Sequence, residues 1–517
     1  MKTYSDTIRD ILITLATALV ISLVMAVFQP KPFFTAWFGS WLLLWLSLFL
    51  LVKVWRHFGG GKTLATLMLV AFFARVFLGL FIYTSLPNIG FGTPVELGGY
   101  AYSDAFRRDN RAIEWAASKS PLILIFQDDL LEDQYGGLLF VSASVYRIFG
   151  LNSPRPMMIT ILAALTMTAG LAFLHDAIKR RWGVKAALAA AWFYALYPEG
   201  LLLGSVQMRE PFLIGLFSIA FWAVVTWREK TGLKLLYFLL SMAVAISFSI
   251  PYGSILLAIL FIFGLIEFLS TQKSSTIKDI GYLMLAVVGV AAISIGWMWV
   301  KPTFYYDAYL TRINSGNINA ILNSLGDEWH YPFITIYGIT QPFLPGALTD
   351  ESLPFWRATA IIRALGWWFT LPFIFYGLFA VWKAKPRSDR WGLVFITLTL
   401  IAWIVISSLR GGGDLWDNPR YRALLIPWLA LLVGWCWQRI RQGNYAWFLR
   451  WASVVFIFFI VFLLWYFRRY HIIMHYIGFN DMVKVIVAST AVILGSGVVW
   501  EGYKWYKGRK PTKPSDV

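Results

Sequence analysis

Charge is scarce in this chain. Only 14% of its 517 residues are Asp, Glu, Lys or Arg, while 59% are hydrophobic and 18% aromatic, and the mean hydropathy is +0.64. A water-soluble fold cannot hide that much apolar surface, so a soluble globular protein is excluded. Cysteine is rarer still. Cys436 stands alone within an apolar run, which rules out an intramolecular disulfide and leaves the redox compartment unread. The five histidines accompany no Ser or Cys motif, and neither a Walker A sequence nor zinc-ligand spacing occurs. A nucleophile triad, ATP-driven pumping within this chain and zinc hydrolysis therefore fall away. The net charge of +18 would suit nucleic acid, but the basic residues sit in short clusters between apolar runs and no RNA- or DNA-binding motif joins them. No nucleic-acid partner is expected.

What the chain has instead is a succession of apolar runs near the ~20 residues that a spanning helix needs. Fourteen candidate spans cover 11–28, 34–51, 65–86, 156–177, 184–204, 211–227, 233–250, 254–269, 280–300, 358–381, 391–409, 421–437, 451–467 and 483–500. The fold class is all-α and polytopic. The first run lacks a small-residue cleavage site and leads straight into a second span, so it reads as a retained anchor. With a cytoplasmic N-terminus, the inner connections are "KVWRHFGGGK", "IKRRWGVK", "WREKTGLK", "STQKSSTIKD", "WKAKPRSDR", "QRIRQGN" and a basic tail. All are rich in Lys and Arg, so the positive-inside rule places both termini in the cytoplasm of a multi-pass cell (inner or plasma) membrane protein.

Two long segments then fall on the non-cytoplasmic side, 87–155 and 301–357. Both are too apolar and aromatic for disorder, and read as amphipathic interfacial helices. "GGLLFVSASVYRIFG" (136–150) is too short to span and carries Arg147, which fits that place. No strong internal repeat is visible, which weakens an inverted-repeat transporter. Three parts are expected: a hairpin over 1–62, a main module over 63–437, and a C-terminal hairpin with a basic tail over 438–517.

The charges carry the functional signal. Arg75 lies mid-span, read either as a polar link to a neighbouring helix or as a cavity-lining group. Two spans begin at the outer face with charged turns. "SVQMREP" holds Arg209, Glu210 and Pro211; "RGGGDLWDNPRYRALLIP" holds Asp414, Asp417, Arg420 and Arg422. Helix N-termini attract anions, and arginine binds phosphate bidentately. Such ends at headgroup level suit a lipid phosphate, although headgroup-facing arginines with Asp caps and Pro starters are also ordinary. The stretch "YSDAFRRDNRAIEWA" places Asp104 on a helical face with Arg107 and Arg108 and brings in Asp109. A surface helix with ion pairs accounts for it, and so does a carboxylate base at the membrane surface. "FQDDLLEDQYGG" adds Asp128, Asp129, Glu132, Asp133 and Tyr135, where paired carboxylates could bind a divalent metal or could simply be solvated caps.

The order of these features resembles the GT-C membrane glycosyltransferases, especially the bacterial protein-mannosyltransferase and aminoarabinose-transferase branch. The residues that carry the resemblance are "YSDAFRRDNRAIEWA", "DQYGGLLFVSASVYRIFG", "ALYPEGLLLGSVQMREP" and "NPRYRALLIPWLALLVGW", spread over about 65–437. The resemblance implies transfer of a sugar from a polyprenyl-phosphate donor to a glycan, lipid or protein acceptor on the non-cytoplasmic face, with inversion. It further implies Asp104 as base, with Asp109 in reserve, and Arg209, Arg420 and Arg422 toward the donor phosphate. Glu210, Tyr135, Asp414 and Asp417 would lend support. A divalent metal is left open, with Asp128, Asp129 and Asp133 as candidate ligands. The family often pairs Asp with Glu at the base position, whereas Ala105 follows Asp104 here. A flippase for lipid-linked sugars and a surface-polysaccharide polymerase or ligase are the competing readings.

Overall fold

The computed structural model describes residues 2–28, 33–127, 136–272, 278–290, 326–409, 418–469 and 478–508, with a few single positions between 273 and 323. Among them are helices and turns and no strand. The helices run α1 (Lys2–Val27), α2 (Phe33–His57), α3 (Lys62–Ile89), α4 (Pro94–Leu97), α5 (Ser103–Ala117) and α6 (Gly137–Ile148). Then follow α7 (Pro156–Trp182), α8 (Val184–Leu196), α9 (Pro198–Gly204), α10 (Glu210–Val225), α11 (Thr231–Phe248) and α12 (Ile250–Thr271). After a helical stretch over 278–290 come α13 (His330–Thr340), α14 (Leu344–Thr349), α15 (Pro354–Ala380) and α16 (Arg387–Leu409). The last are α17 (Asn418–Arg422), α18 (Ile426–Arg441), α19 (Ala446–Arg469) and α20 (Phe479–Gly508).

Eleven of the described helices, counting α17–α18 as one, are long and apolar enough to cross a bilayer, and the bent pair α8–α9 brings the total to twelve. The protein is an all-helical, multi-pass membrane protein. One of the fourteen expected spans comes out differently, and another is described only in part. The run 211–227 is α10, whose 16 residues reach ~24 Å, short of the ~30 Å hydrocarbon core. Most of α10 is buried against α7 and α11, so protein rather than lipid sets its length. The run 280–300 is helical as far as 290, and the rest of it lies almost wholly outside the described residues.

Close packing at the centre depends on small and aromatic residues. A Cβ on Gly215 of α10 would stand 2.3 Å from the Thr166 carbonyl oxygen of α7, and one on Gly170 would stand 2.7 Å from Gly215 Cα. Backbones approach this closely only where side chains are missing, a common way for helices to associate in lipid. Beside that contact, Trp428 of α18 meets Phe217 and Phe221 of α10, Phe263 of α12 and Phe395 of α16, with ring centroids 5.3–6.0 Å apart.

The bend between α8 and α9, 55° at Tyr197, explains Arg75. In a continuous helix the Tyr194 carbonyl would accept from residue 198, but Pro198 has no N–H. Arg75 supplies the missing donor. Its Nη2 donates to the Tyr194 carbonyl at 3.2 Å and its Nη1 to the Ala71 carbonyl at 2.6 Å. Gly204 makes room, since a Cβ there would sit 2.6 Å from Arg75 Cδ. The link between neighbouring helices, one of the two sequence readings, is thus the one seen.

Polar side chains gather at the two ends of the bundle. At one end Arg180 joins Asp176 and Glu229, and Arg181 joins Glu267 and Asp389, bracing α7 against α10, α12 and α16. The other end holds α4, α5, α6 and the starts of α7, α10, α15 and α17. Replacing Arg75 with Met strands the Tyr194 carbonyl in an apolar interior. A loss of ~1–3 kcal/mol is expected, seen as a lower thermal midpoint in detergent with the helical circular dichroism of the folded protein unchanged.

Candidate functional site

α5 is held from both sides. Its last carbonyls have no partner within the helix, and Arg147 of α6 donates to them: Trp115 at 2.6 Å, Ser118 at 2.9 Å, Ser120 at 3.0 Å and Ala116 at 3.3 Å. A cation also suits the negative end of the helix dipole. Arg147 is therefore the C-terminal clamp of α5.

Midway along α5, Asp109 is wholly buried. Its carboxylate accepts from Tyr100 Oη at 2.5 Å, from Gln207 Nε2 at 2.6 Å and from Tyr146 Oη. Gln207 also donates to Ser142 Oγ at 3.1 Å, so one acid ties α5, α6 and the approach to α10 together. Burial pushes the Asp109 carboxyl up to about 6, against the pull of the three hydrogen bonds and of Arg108. Burial and the Asp109 charge raise Tyr100 and Tyr146 well above the usual phenol range, which keeps both hydroxyls as donors.

Asp104 faces the other way. Five residues at 100° each separate the two acids, which puts them on nearly opposite sides of the helix. Asp104 is 38% exposed at its side chain and accepts from Arg107 Nη2 at 2.7 Å and from Arg420 Nη1 at 3.1 Å. Burial pushes its carboxyl up, but the charge of Arg420, with the Arg107 and Arg420 hydrogen bonds, outweighs this and holds it below the usual carboxylate range. It is an ionised, reachable carboxylate. On the same helix Arg111 pairs with Glu114 at 2.6 Å, an ordinary surface contact.

Arg420 is the centre of the arrangement. Besides Asp104, its Nε lies 3.5 Å from Oε1 of Glu210 in the first turn of α10. Tyr102 and Tyr421 flank the guanidinium, with ring centroids 5.8 and 5.2 Å from Cζ. Neither oxygen of Glu210 has a hydrogen-bond partner among the described residues, although the side chain is only 2% exposed. Arg209, next to it, sits over the Tyr252 ring at 5.4 Å.

Arg422 is used elsewhere. It stacks on Trp367 at 3.8 Å and donates to the carbonyls of Gly338, Ile339 and Gln341, closing the C-terminal end of α13. Sequence placed it with Arg420, but residues two apart on a helix point to different sides.

Sequence reasoning passed over the buried pair formed by Arg363 of α15 and Glu199 of α9, bidentate at 2.7 and 3.0 Å with each side chain 3% exposed. Arg363 was findable as a charge inside an apolar run, the same signal that drew attention to Arg75. Tyr102 lies within electrostatic reach of Arg363, Glu199, Arg420 and Glu210, and so joins this pair to the Asp104 group. Gln207 stood in a quoted motif but had no signal of its own. Trp356 donates to Glu96 at 2.8 Å and ties the second long segment to the first. Asp128, Asp129, Asp133, Tyr135, Asp414 and Asp417 lie outside the described residues. Among the described residues no three His, Cys, Asp or Glu side chains come together as a metal site.

No family model and no curated protein matches the chain. Among the solved structures similar to it are two. One is ArnT from Cupriavidus metallidurans bound to undecaprenyl phosphate, at 16% identity and TM-score 0.36, over 81% of this chain and 75% of that one. The other is the archaeal oligosaccharyltransferase AglB from Archaeoglobus fulgidus in complex with an inhibitory peptide and a dolichol-phosphate. There the identity is 12% and the TM-score 0.39, over 87% of this chain and 58% of that one. At these values the functional reading has to rest on the side chains of this chain.

The Asp109 shift gives a pH dependence. Its carboxyl moves from an ordinary 3.8 up to about 6 on folding, so the linked stability is fully present below about 3.8 and is lost as pH rises through about 6. Asp109→Asn removes this group from the titration. From pH 4 to 6.5 the wild-type thermal midpoint should fall relative to that of the variant, with the difference constant above pH 7. A difference that runs the other way would contradict the buried, proton-binding carboxylate.

Proposed function

We propose that the chain is a membrane glycosyltransferase which takes a sugar from a polyprenyl-phosphate donor. The observation that carries this is the contact of Asp104 with Arg420 across 316 residues of sequence, beside the N-terminal turn of α10. An ionised carboxylate and an arginine side by side are the two groups such a transfer requires.

In this reading an acceptor hydroxyl attacks the anomeric carbon as the bond from that carbon to the phosphate oxygen breaks. Asp104 takes the hydroxyl proton, a contribution of ~10²–10⁴-fold. The departing lipid phosphate keeps the electron pair, and Arg420 stabilises its growing charge, helped by the α10 dipole and Arg209. The displacement inverts the anomeric centre. Asp109, held by three donors and closed to solvent, positions α5 and takes no proton from substrate. Arg422 serves the fold. The acceptor is a glycan, lipid or protein, for which the exposed Trp329 and the partly exposed Tyr331 at the start of α13 offer aromatic faces.

The positive-inside pattern supports a non-cytoplasmic site and cytoplasmic termini, since the Arg180–Arg181 end of the bundle carries the basic connections. The active module then covers 63–437, with 1–62 and 438–517 as flanking hairpins. A carrier of lipid-linked sugars gains no support from Arg75, Arg363 and Glu199, charges inside the spans that are committed to orphan carbonyls or to each other.

The test uses purified protein in lipid nanodiscs, radiolabelled polyprenyl-phosphate sugars and a panel of acceptors. Asp104→Asn should lower kcat by ~10²-fold or more while donor binding persists. Arg420→Gln should weaken donor binding as well as turnover. Transfer undiminished in Asp104→Asn would remove it as the base.

A further inference from the structure

Glu210 is the one acid at this end of the bundle that is buried without a hydrogen bond among the described residues. A carboxylate in such a place is normally satisfied by several donors, as Asp109 is. The charged groups around Glu210 are Arg420 at 3.5 Å and, through it, Asp104; Tyr102 lies alongside, and Arg209 precedes it on its own helix. A carboxylate in the first turn of α10 also occupies the helix end that would otherwise attract an external anion. Glu210 therefore competes with any phosphate for the same arginine and the same dipole.

Glycosyl transfer changes the charge of the phosphate. The donor is a phosphodiester with one negative charge, whereas the product is a phosphomonoester carrying about −1.5 to −2 at neutral pH. A fixed anion beside the phosphate repels the product more than the donor. We propose that Glu210 is a charge filter, a positioning residue that holds Arg420 in place and disfavours the doubly charged lipid phosphate after transfer, so that the spent carrier leaves. This rests on the glycosyl-transfer reading above.

The test compares two lipids with the same chain, undecaprenyl phosphate and its methyl ester, by equilibrium binding to the full-length protein in phosphatidylcholine nanodiscs at pH 8. The wild type should bind the methyl ester at least as tightly as the phosphate. Glu210→Gln should reverse that order by tightening the phosphate roughly tenfold more than the ester. Glu210→Asp, which keeps the charge, should retain the wild-type order. A wild type that prefers the phosphate, or a Glu210→Gln variant with an unchanged ratio, overturns the filter; the wild-type comparison stands even if the variant does not fold. The transfer reading fails separately if Arg420→Gln alters neither affinity.

Discussion

A bilayer supplies no water to a polar group inside it, so each charge and each unpaired carbonyl must find its partner within the protein. That constraint accounts for several of the arginines described here. Arg75 fills the gap that Pro198 leaves at the α8–α9 bend, and Arg422 closes the end of α13. Arg147 meets the same need for α5 where the chain leaves the spans. In each case a cation answers backbone oxygens rather than a carboxylate.

The two ion pairs at the α5 end differ in what it costs to open them. Arg363 and Glu199 are both buried, and removing one partner of such a pair costs ~3–5 kcal/mol because the other is left uncompensated. In the second pair Arg420 is buried but Asp104 is more than a third exposed, so solvent can reach the carboxylate when the pair opens. The first pair is a fixed joint between α9 and α15. The second can part and re-form without threatening the fold. Arg420 is thus an arginine that can be shared between protein and ligand.

Much of this architecture was legible in the sequence, because apolar run length and basic clusters answer directly to bilayer thickness and membrane orientation. Arg420 was identifiable because it stands at the edge of an apolar run, and Asp104 because it opens a charged stretch in an otherwise apolar chain. What sequence could not supply was direction. Arg420 and Arg422 looked like one cluster, and Asp109 stood in reserve for Asp104, yet helical rotation sends the members of each pair to different neighbours. The spacing already contained that distinction. Gln207 and Tyr146 carried no comparable signal, because their role exists only once α5, α6 and the start of α10 have met around Asp109.

The division of labour between the two acids of α5 follows from their surroundings. Asp109 is enclosed by three donors, so its carboxylate is immobile and the helix it belongs to is immobile with it. Arg147 fixes the end of the same helix. In the proposed transfer, a base that must meet a hydroxyl within hydrogen-bond reach would need this rigidity behind it, because small displacements of a reacting group are expensive in rate. Asp104 has the opposite environment, with two arginines on one side and solvent on the other. One acid holds the helix and the other is left accessible, and the residue separation of five is what allows a single helix to do both.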